Sequence, residues 1–209
     1  MKYGAIIVAA GCSTRMGAFK PLLTIGNDTI IRHVVNLMKT AADEIVVVTG
    51  YRGDELENHL IGTGVTAVRN VAFRETGMFD SICLGIRALS RNCKRFFIIP
   101  GDIPLVRPET LSYLRKTSSL VVRPTCDGKS GHPILLSDEC VIPILTDSGA
   151  GGLRGAIERL HFPVLDIETG DPGVLMDADT PADYQWLRSY QEKQGLRILD
   201  RPLPSAHMP

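Results

Sequence analysis

An anion cradle stands near the start of the chain. Ala9-Ala10-Gly11-Cys12-Ser13-Thr14-Arg15-Met16-Gly17-Ala18-Phe19-Lys20 continues directly from the apolar stretch Tyr3–Ala10. Small residues let backbone N–H groups approach an anion closely, and Arg15 and Lys20 add charge to those dipoles. Ala9, Ala10, Gly11 and Ser13 would then line a triphosphate site, with Arg15 and Lys20 as its cations. The string is neither G-x-x-x-x-G-K-[ST] nor G-x-G-x-x-G. A plain glycine-rich turn with two solvated cations is the alternative, disfavoured by the whole string and its place after a strand. Asp102 follows the apolar run RFFII and the turn Pro100-Gly101. A carboxylate past a strand end is placed to hold Mg²⁺. Alone, such an aspartate caps the next segment; the phosphate loop in the same chain favours the metal. Asp177 and Asp179 are read at the end of a last short strand, where they supply a second carboxylate or cap the helix that follows. Gly77 and Ser81 lie at a helix start, whose free N–H groups favour an anion or a base edge.

These strings carry a family resemblance. AAGCSTRMGAFK resembles the A-A-G-x-S-x-R-M-G-x-x-K signature of the MobA-like NTP transferases, the nucleotidyltransferases of the molybdopterin cytidylyl- and guanylyltransferase group. VVTGYRGDELE (Val47–Glu57) is similar to the cytidylyltransferase, MocA-type branch. Gly77-Met78 before a helix containing Ser81, PGDIPLV (Pro100–Val106), GHP (Gly131–Pro133) and DADTPADY (Asp177–Tyr184) follow in the family's order.

The resemblance implies a Rossmann-like nucleotidyltransferase fold. It implies Mg²⁺-dependent transfer of a nucleoside monophosphate from an NTP, CTP before others, to a phosphorylated acceptor such as molybdopterin, with release of pyrophosphate. It implies Asp102 as the main metal ligand, Asp177 ahead of Asp179 as the second, and nucleotide contacts at Gly77 and Ser81. It places His132 of GHP beside the acceptor or the transferring phosphate; a satisfied loop histidine is the alternative. The chain departs from the pattern at Phe79-Asp80, where a serine-rich pair is usual. It departs again at DSGAGGLR (Asp147–Arg154), where Arg154 stands for the arginine of G-D-x-G-A-R as an acceptor contact. Two rival functions remain: a cytidylyl- or uridylyltransferase acting on a sugar or polyol phosphate, and a non-catalytic nucleotide-binding module.

Such residues need a scaffold. Tyr3–Ala10, Glu44–Thr49, Val65–Arg69 and Arg95–Ile99 read as buried strands, each short, apolar and bounded by turn residues. Between them, Ile30–Met38, Glu55–Leu60 and Ser81–Leu89 carry helical spacing. Strands alternating with helices predict an α/β fold: a mostly parallel sheet with helices on both faces. After a helix at Glu109–Lys116, the segments Leu120–Arg123, Pro133–Leu136, Phe162–Ile167 and Val174–Met176 predict a mixed C-terminal extension. Thr180-Pro181-Ala182-Asp183 starts a final helix, with Thr as cap, Pro at its first position and an acid in its first turn. Gly195 is expected to stop it. Residues 1–195 form the expected nucleotidyltransferase domain, and 196–209 a proline-containing tail or linker to a fused or partner domain.

Composition excludes several classes. Lys plus Arg and Asp plus Glu both number 23, so no basic surplus exists to neutralise a nucleic-acid backbone. At 44% hydrophobic the chain can build a core, and no apolar run approaches the ~20 residues of a membrane span. The 5 cysteines are scattered without a C-x-x-C, which argues against disulfides and structural zinc. A reduced, cytoplasmic enzyme is the expectation.

Overall fold

Strand β1 (Lys2–Ala9) is buried over Tyr3–Ala9, so both of its faces must be covered. Alternate side chains serve opposite layers, as the strand's two-residue period requires. Ala5, Ile7 and Ala9 enter one core, and Ile6 and Val8 enter the other.

The computed structural model describes residues 1–199, with side chains described through 193. After β1 come the small hairpin β2 (Thr24–Ile25) and β3 (Asp28–Thr29), then α1 (Ile30–Lys39), β4 (Glu44–Thr49), α2 (Gly53–Leu60), β5 (Thr66–Arg69), α3 (Met78–Ala88) and β6 (Cys93–Pro100). The C-terminal half adds α4 (Pro108–Arg115), β7 (Val121–Cys126), β8 (Lys129–Ser130), β9 (Ile134–Ser137), α5 (Val141–Thr146), α6 (Gly152–Arg159), β10 (Val164–Glu168) and α7 (Pro181–Leu199). The main sheet has the order β10-β7-β9-β6-β1-β4-β5, with β8 paired to β7. β1 pairs in parallel with both β4 and β6, whereas β9 runs antiparallel to β6 and β7. The expected α/β sheet with a mixed extension is therefore the observed one. α1, α2 and α4 cover one face, and α3, α5 and α6 cover the other.

Chain order reverses across β1, whose neighbours are β4 on one side and β6 on the other. In open α/β sheets ligands bind beyond the carboxyl ends of strands at such a reversal. The loop after β1 and Asp102 after β6 both lie there. A third cluster fastens the loop down: Met16 packs with Ile25, Ile30, Met176, Ala178 and Leu187.

Three local readings are corrected. Val174–Met176 is no strand: Pro172–Leu175 is a 3-10 turn, because Asp171 accepts from the Gly173 N–H at 2.9 Å and Pro172 starts the turn. Asp177 and Asp179 thus follow a turn and not a strand end. Gly195 does not stop α7, which continues to Leu199; a helix-interior glycine costs only about 1 kcal/mol. The remainder of the expected tail, 200–209, lies outside the described residues. Thr180 caps α7 as expected, its N–H donating to Asp183 Oδ2 at 2.8 Å and its Oγ1 accepting from the Asp183 N–H at 3.2 Å.

Candidate active site

The loop after β1 and the turn after β6 face one another. Ala9, Ala10, Gly11, Ser13, Lys20, Gly77, Ser81 and Asp102 all line a cavity of about 170 Å³. Ser13, at φ 54°, turns the loop through the left-handed region, and its Oγ accepts from the Lys20 N–H at 3.4 Å. The turn bends Lys20 back over the sheet, where only 11% of its side chain is exposed.

Lys20 Nζ donates to Asp102 Oδ2 at 3.0 Å and to Asp179 Oδ1 at 2.6 Å. Arg15 reaches the other oxygen of Asp179 at 2.9 Å but lies outside the cavity, 71% exposed. Burial would lower the Lys20 pKa, yet the Asp179 and Asp102 carboxylates outweigh it and hold the ammonium above the usual lysine value. The hydrogen bond from Lys20 holds the Asp179 carboxyl below its usual value. Asp177 goes the other way: desolvation first, then the Asp179 and Asp102 charges, raise it. These residues are interlocked through the backbone as well, since the Ala178 N–H donates to the Asp102 carbonyl at 3.0 Å.

The far wall of the cavity belongs to residues 70–81. Asn70 is buried, and its amide donates to Thr76 Oγ1 at 2.9 Å and to Ser81 Oγ at 3.0 Å. Ser81 therefore lines the cavity while its hydroxyl holds the loop. Phe73, Thr76 and Met78 line the same wall. Of these, sequence reasoning missed Phe73, although an aromatic between Asn70 and Gly77 was a visible signal.

A larger cavity, about 800 Å³, adjoins the first across Val8, Met78 and Pro100, which belong to both. His132 and Arg154 line it with Arg123, His161 and Gly151. Arg154 is exposed and paired with Glu158 at 2.9 Å, whereas Arg123 is held by Asp166 at 2.8 Å. His132 is half-buried, and its shielded Nδ1 has no hydrogen-bond partner among the described residues. Burial lowers its pKa, against the pull of the Asp102 charge and the Ile98 carbonyl. Its backbone is fixed by donation to the Val174 carbonyl at 2.9 Å. A Cβ on Gly131 would run into that same carbonyl, so glycine is required for the close approach. The turn bearing His132 is thereby tied to the segment bearing Asp177 and Asp179.

Among the described residues no helix is long and apolar enough to cross a membrane. Over 185 residues, 86% of this chain and 92% of the relative, the sequence is 30% identical to the molybdenum cofactor cytidylyltransferase of Escherichia coli. A nucleotidyl transferase from Methanothermobacter shares the fold, with a TM-score of 0.80 over 92% of this chain and 99% of that one, at 23% identity. A Mycobacterium tuberculosis protein solved in complex with manganese superposes with a TM-score of 0.73 over 90% of this chain and 99% of that one, at 19% identity. Residues 5–164 match the MobA-like NTP transferase domain, and the chain belongs to that family of nucleotidyltransferases.

Proposed function

We infer that the protein transfers CMP from CTP to the phosphate of a bulky acceptor such as molybdopterin, releasing pyrophosphate. The observation that carries this reading is the meeting of two cavities at Val8, Met78 and Pro100, with Lys20 and Asp102 at the border of the smaller. The relative named above, a cytidylyltransferase acting on the molybdenum cofactor, supports the choice of substrates.

The chemistry needs no protein nucleophile. An acceptor phosphate oxygen attacks the α-phosphorus in line, a new P–O bond forms, and the bond to pyrophosphate breaks with its electron pair leaving on pyrophosphate. Positioning and charge offset do the catalysis. Lys20 and Arg15 hold the β- and γ-phosphates and the leaving group. The loop N–H groups from Gly11 to Ser13 orient the phosphates, while His132 and Arg154 meet the acceptor.

Asp102 and Asp179, with Asp177 beside them, would hold Mg²⁺. Their oxygens are the hard donors that ion takes; burial first, then the Asp179 and Asp102 charges, raises the Asp177 carboxyl beside them. Among the described residues no group of three or more His, Cys, Asp or Glu side chains is arranged to hold an ion by itself. When bound, it supplies charge neutralisation on the phosphates. Manganese in the mycobacterial relative supports a divalent ion. The free state of all five cysteines, Cys12, Cys83, Cys93, Cys126 and Cys140, supports a reducing, cytoplasmic setting.

Pyrophosphate release from a panel of NTPs, with Mg²⁺ and with or without molybdopterin, tests the reading. Turnover of CTP only with molybdopterin is expected. Turnover with a sugar phosphate instead would replace the acceptor, and NTP binding without any turnover would leave a binding module.

A further inference from the structure

The Gly50-Tyr51 turn at the end of β4 carries a row of aromatic rings that the reaction as described does not use. Phe19, which precedes Lys20, meets Tyr51 edge-on with ring centroids 5.8 Å apart. Tyr51 in turn meets Phe73 at 6.2 Å, tilted by 56°. Phe19 is buried under the Arg52 guanidinium, 4.9 Å above its ring, so this end of the row is anchored. The other end, Phe73, lines the small cavity. Gly50 makes the approach possible: a Cβ there would lie 2.9 Å from both Ala10 Cβ and Phe73 Cβ, and 2.7 Å from the Ala10 carbonyl oxygen. Ala10 and Phe73 therefore close on one another over a residue without a side chain.

We propose that Phe73 is the wall on which the nucleotide base packs, and that Tyr51 is a positioning residue that braces this wall against the phosphate loop through Phe19. The proposal rests on the nucleotidyltransferase reading of the same cavity and names the group that meets the base. Three features carry it. The cavity is lined by Lys20 and Asp102, which suit phosphates and metal, and also by Phe73, Thr76 and Met78. An aromatic face attracts any base, because every base has a π-face. The row joins Phe73 to the residue next to Lys20, so the distance between base and phosphates is set by rings packed edge-on and tilted, and not by a free loop. Arg74, with its guanidinium 5.6 Å from the Phe73 ring centroid, covers one side of that ring and narrows the orientations open to it.

The test compares three probes on the whole chain by calorimetry: CTP, ribose 5′-triphosphate and inorganic tripolyphosphate, each with Mg²⁺. Phe73→Leu keeps apolar volume but removes the aromatic face, and Phe73→Ala removes both. Each is expected to weaken CTP about 5- to 100-fold, the range for losing one stacked base, while both base-free probes change less than twofold. Tyr51→Leu is expected to raise the KM for CTP several-fold at nearly constant kcat, and Tyr51→Phe to restore it. Equal losses for all three probes would mean that Phe73 only supports the fold, and the proposal would fall. Unchanged CTP binding in Phe73→Leu would also overturn it, while wild-type turnover of CTP would leave the nucleotidyltransferase reading standing. A wild type that binds none of the three probes would remove both.

Discussion

Lys20 and Asp179 lie 159 residues apart in the chain and 2.6 Å apart in space. Asp102 closes the other side of the same ammonium at 3.0 Å. The cation proposed for the triphosphate and the carboxylates proposed for the metal thus neutralise one another before substrate arrives. On the proposed reaction, nucleotide and divalent ion would each take the partner that the other releases.

Asp102→Ala should abolish metal-dependent turnover and leave the circular-dichroism spectrum unchanged, since among the described residues its carboxylate hydrogen-bonds to Lys20 alone and lies at a cavity wall. Turnover within about tenfold of wild type, a barrier change of only ~1.4 kcal/mol, would remove Asp102 from the reaction.

Arg15 and Lys20 differ in exposure, 71% against 11%, and so in what they do without substrate. The Arg15 ion pair is worth little to stability, as exposed pairs are. Arg15→Ala should therefore melt like wild type yet raise the KM for CTP or lower kcat by roughly 10²-fold, because charge-assisted bonds to phosphate are the strong ones. Lys20→Ala should cost at least as much activity. Wild-type steady-state kinetics in both would end the cradle assignment.

Ala10 is almost fully buried and lines the nucleotide cavity. Its methyl should crowd a two-ring purine more than a pyrimidine, a difference worth ~1–3 kcal/mol or roughly 10–200-fold in kcat/KM. Wild type is expected to prefer CTP over GTP, and Ala10→Gly to narrow the gap. A preference that survives Ala10→Gly unchanged would move selectivity to residues 73–81.

Stability should fall as pH drops through and below 6.5. Burial lowers the pKa of His132, and of His59, so the unfolded chain binds protons that the folded chain refuses. Stability is then full above the unfolded value of 6.5 and declines toward the folded pKa. The lowered carboxyls of Glu44, Asp147 and Glu168 act in a separate window, below their unfolded values of 4.5 and 3.8. Urea unfolding of His132→Gln at pH 7.5 and 5.5 should show a smaller decline than wild type. An identical decline would mean that burial does not lower the His132 pKa.

The sheet was legible because β1, β4 and β6 are short apolar runs buried on both faces, a pattern local to each strand. The Thr180–Asp183 cap was legible for the same reason, being confined to one turn. The Lys20 bridge was not: its partners are 82 and 159 residues distant, and only the strand order brings them together. α6 was missed because it starts at Gly151 and Gly152, both in the left-handed region, where sequence shows only flexible residues. Val174–Met176 misled because its apolar pattern fits a strand, while Asp171 and Pro172 had already committed the chain to a turn. The row Phe19–Tyr51–Phe73 went unseen because each ring sits in a different loop.

Apart from Val8, Met78, Pro100 and the neighbouring Phe79, Ile82 and Ile98, the two cavities are lined by different lengths of chain. The small one draws on residues between 8 and 102, and most of the large one on residues between 123 and 164. On the proposed reaction, donor chemistry and acceptor choice would be inherited as largely separable parts of one gene product. Mutations around α6 and β10 can retune which molecule is modified without disturbing the half that handles the triphosphate. A lineage can thereby acquire a new acceptor while keeping an old reaction.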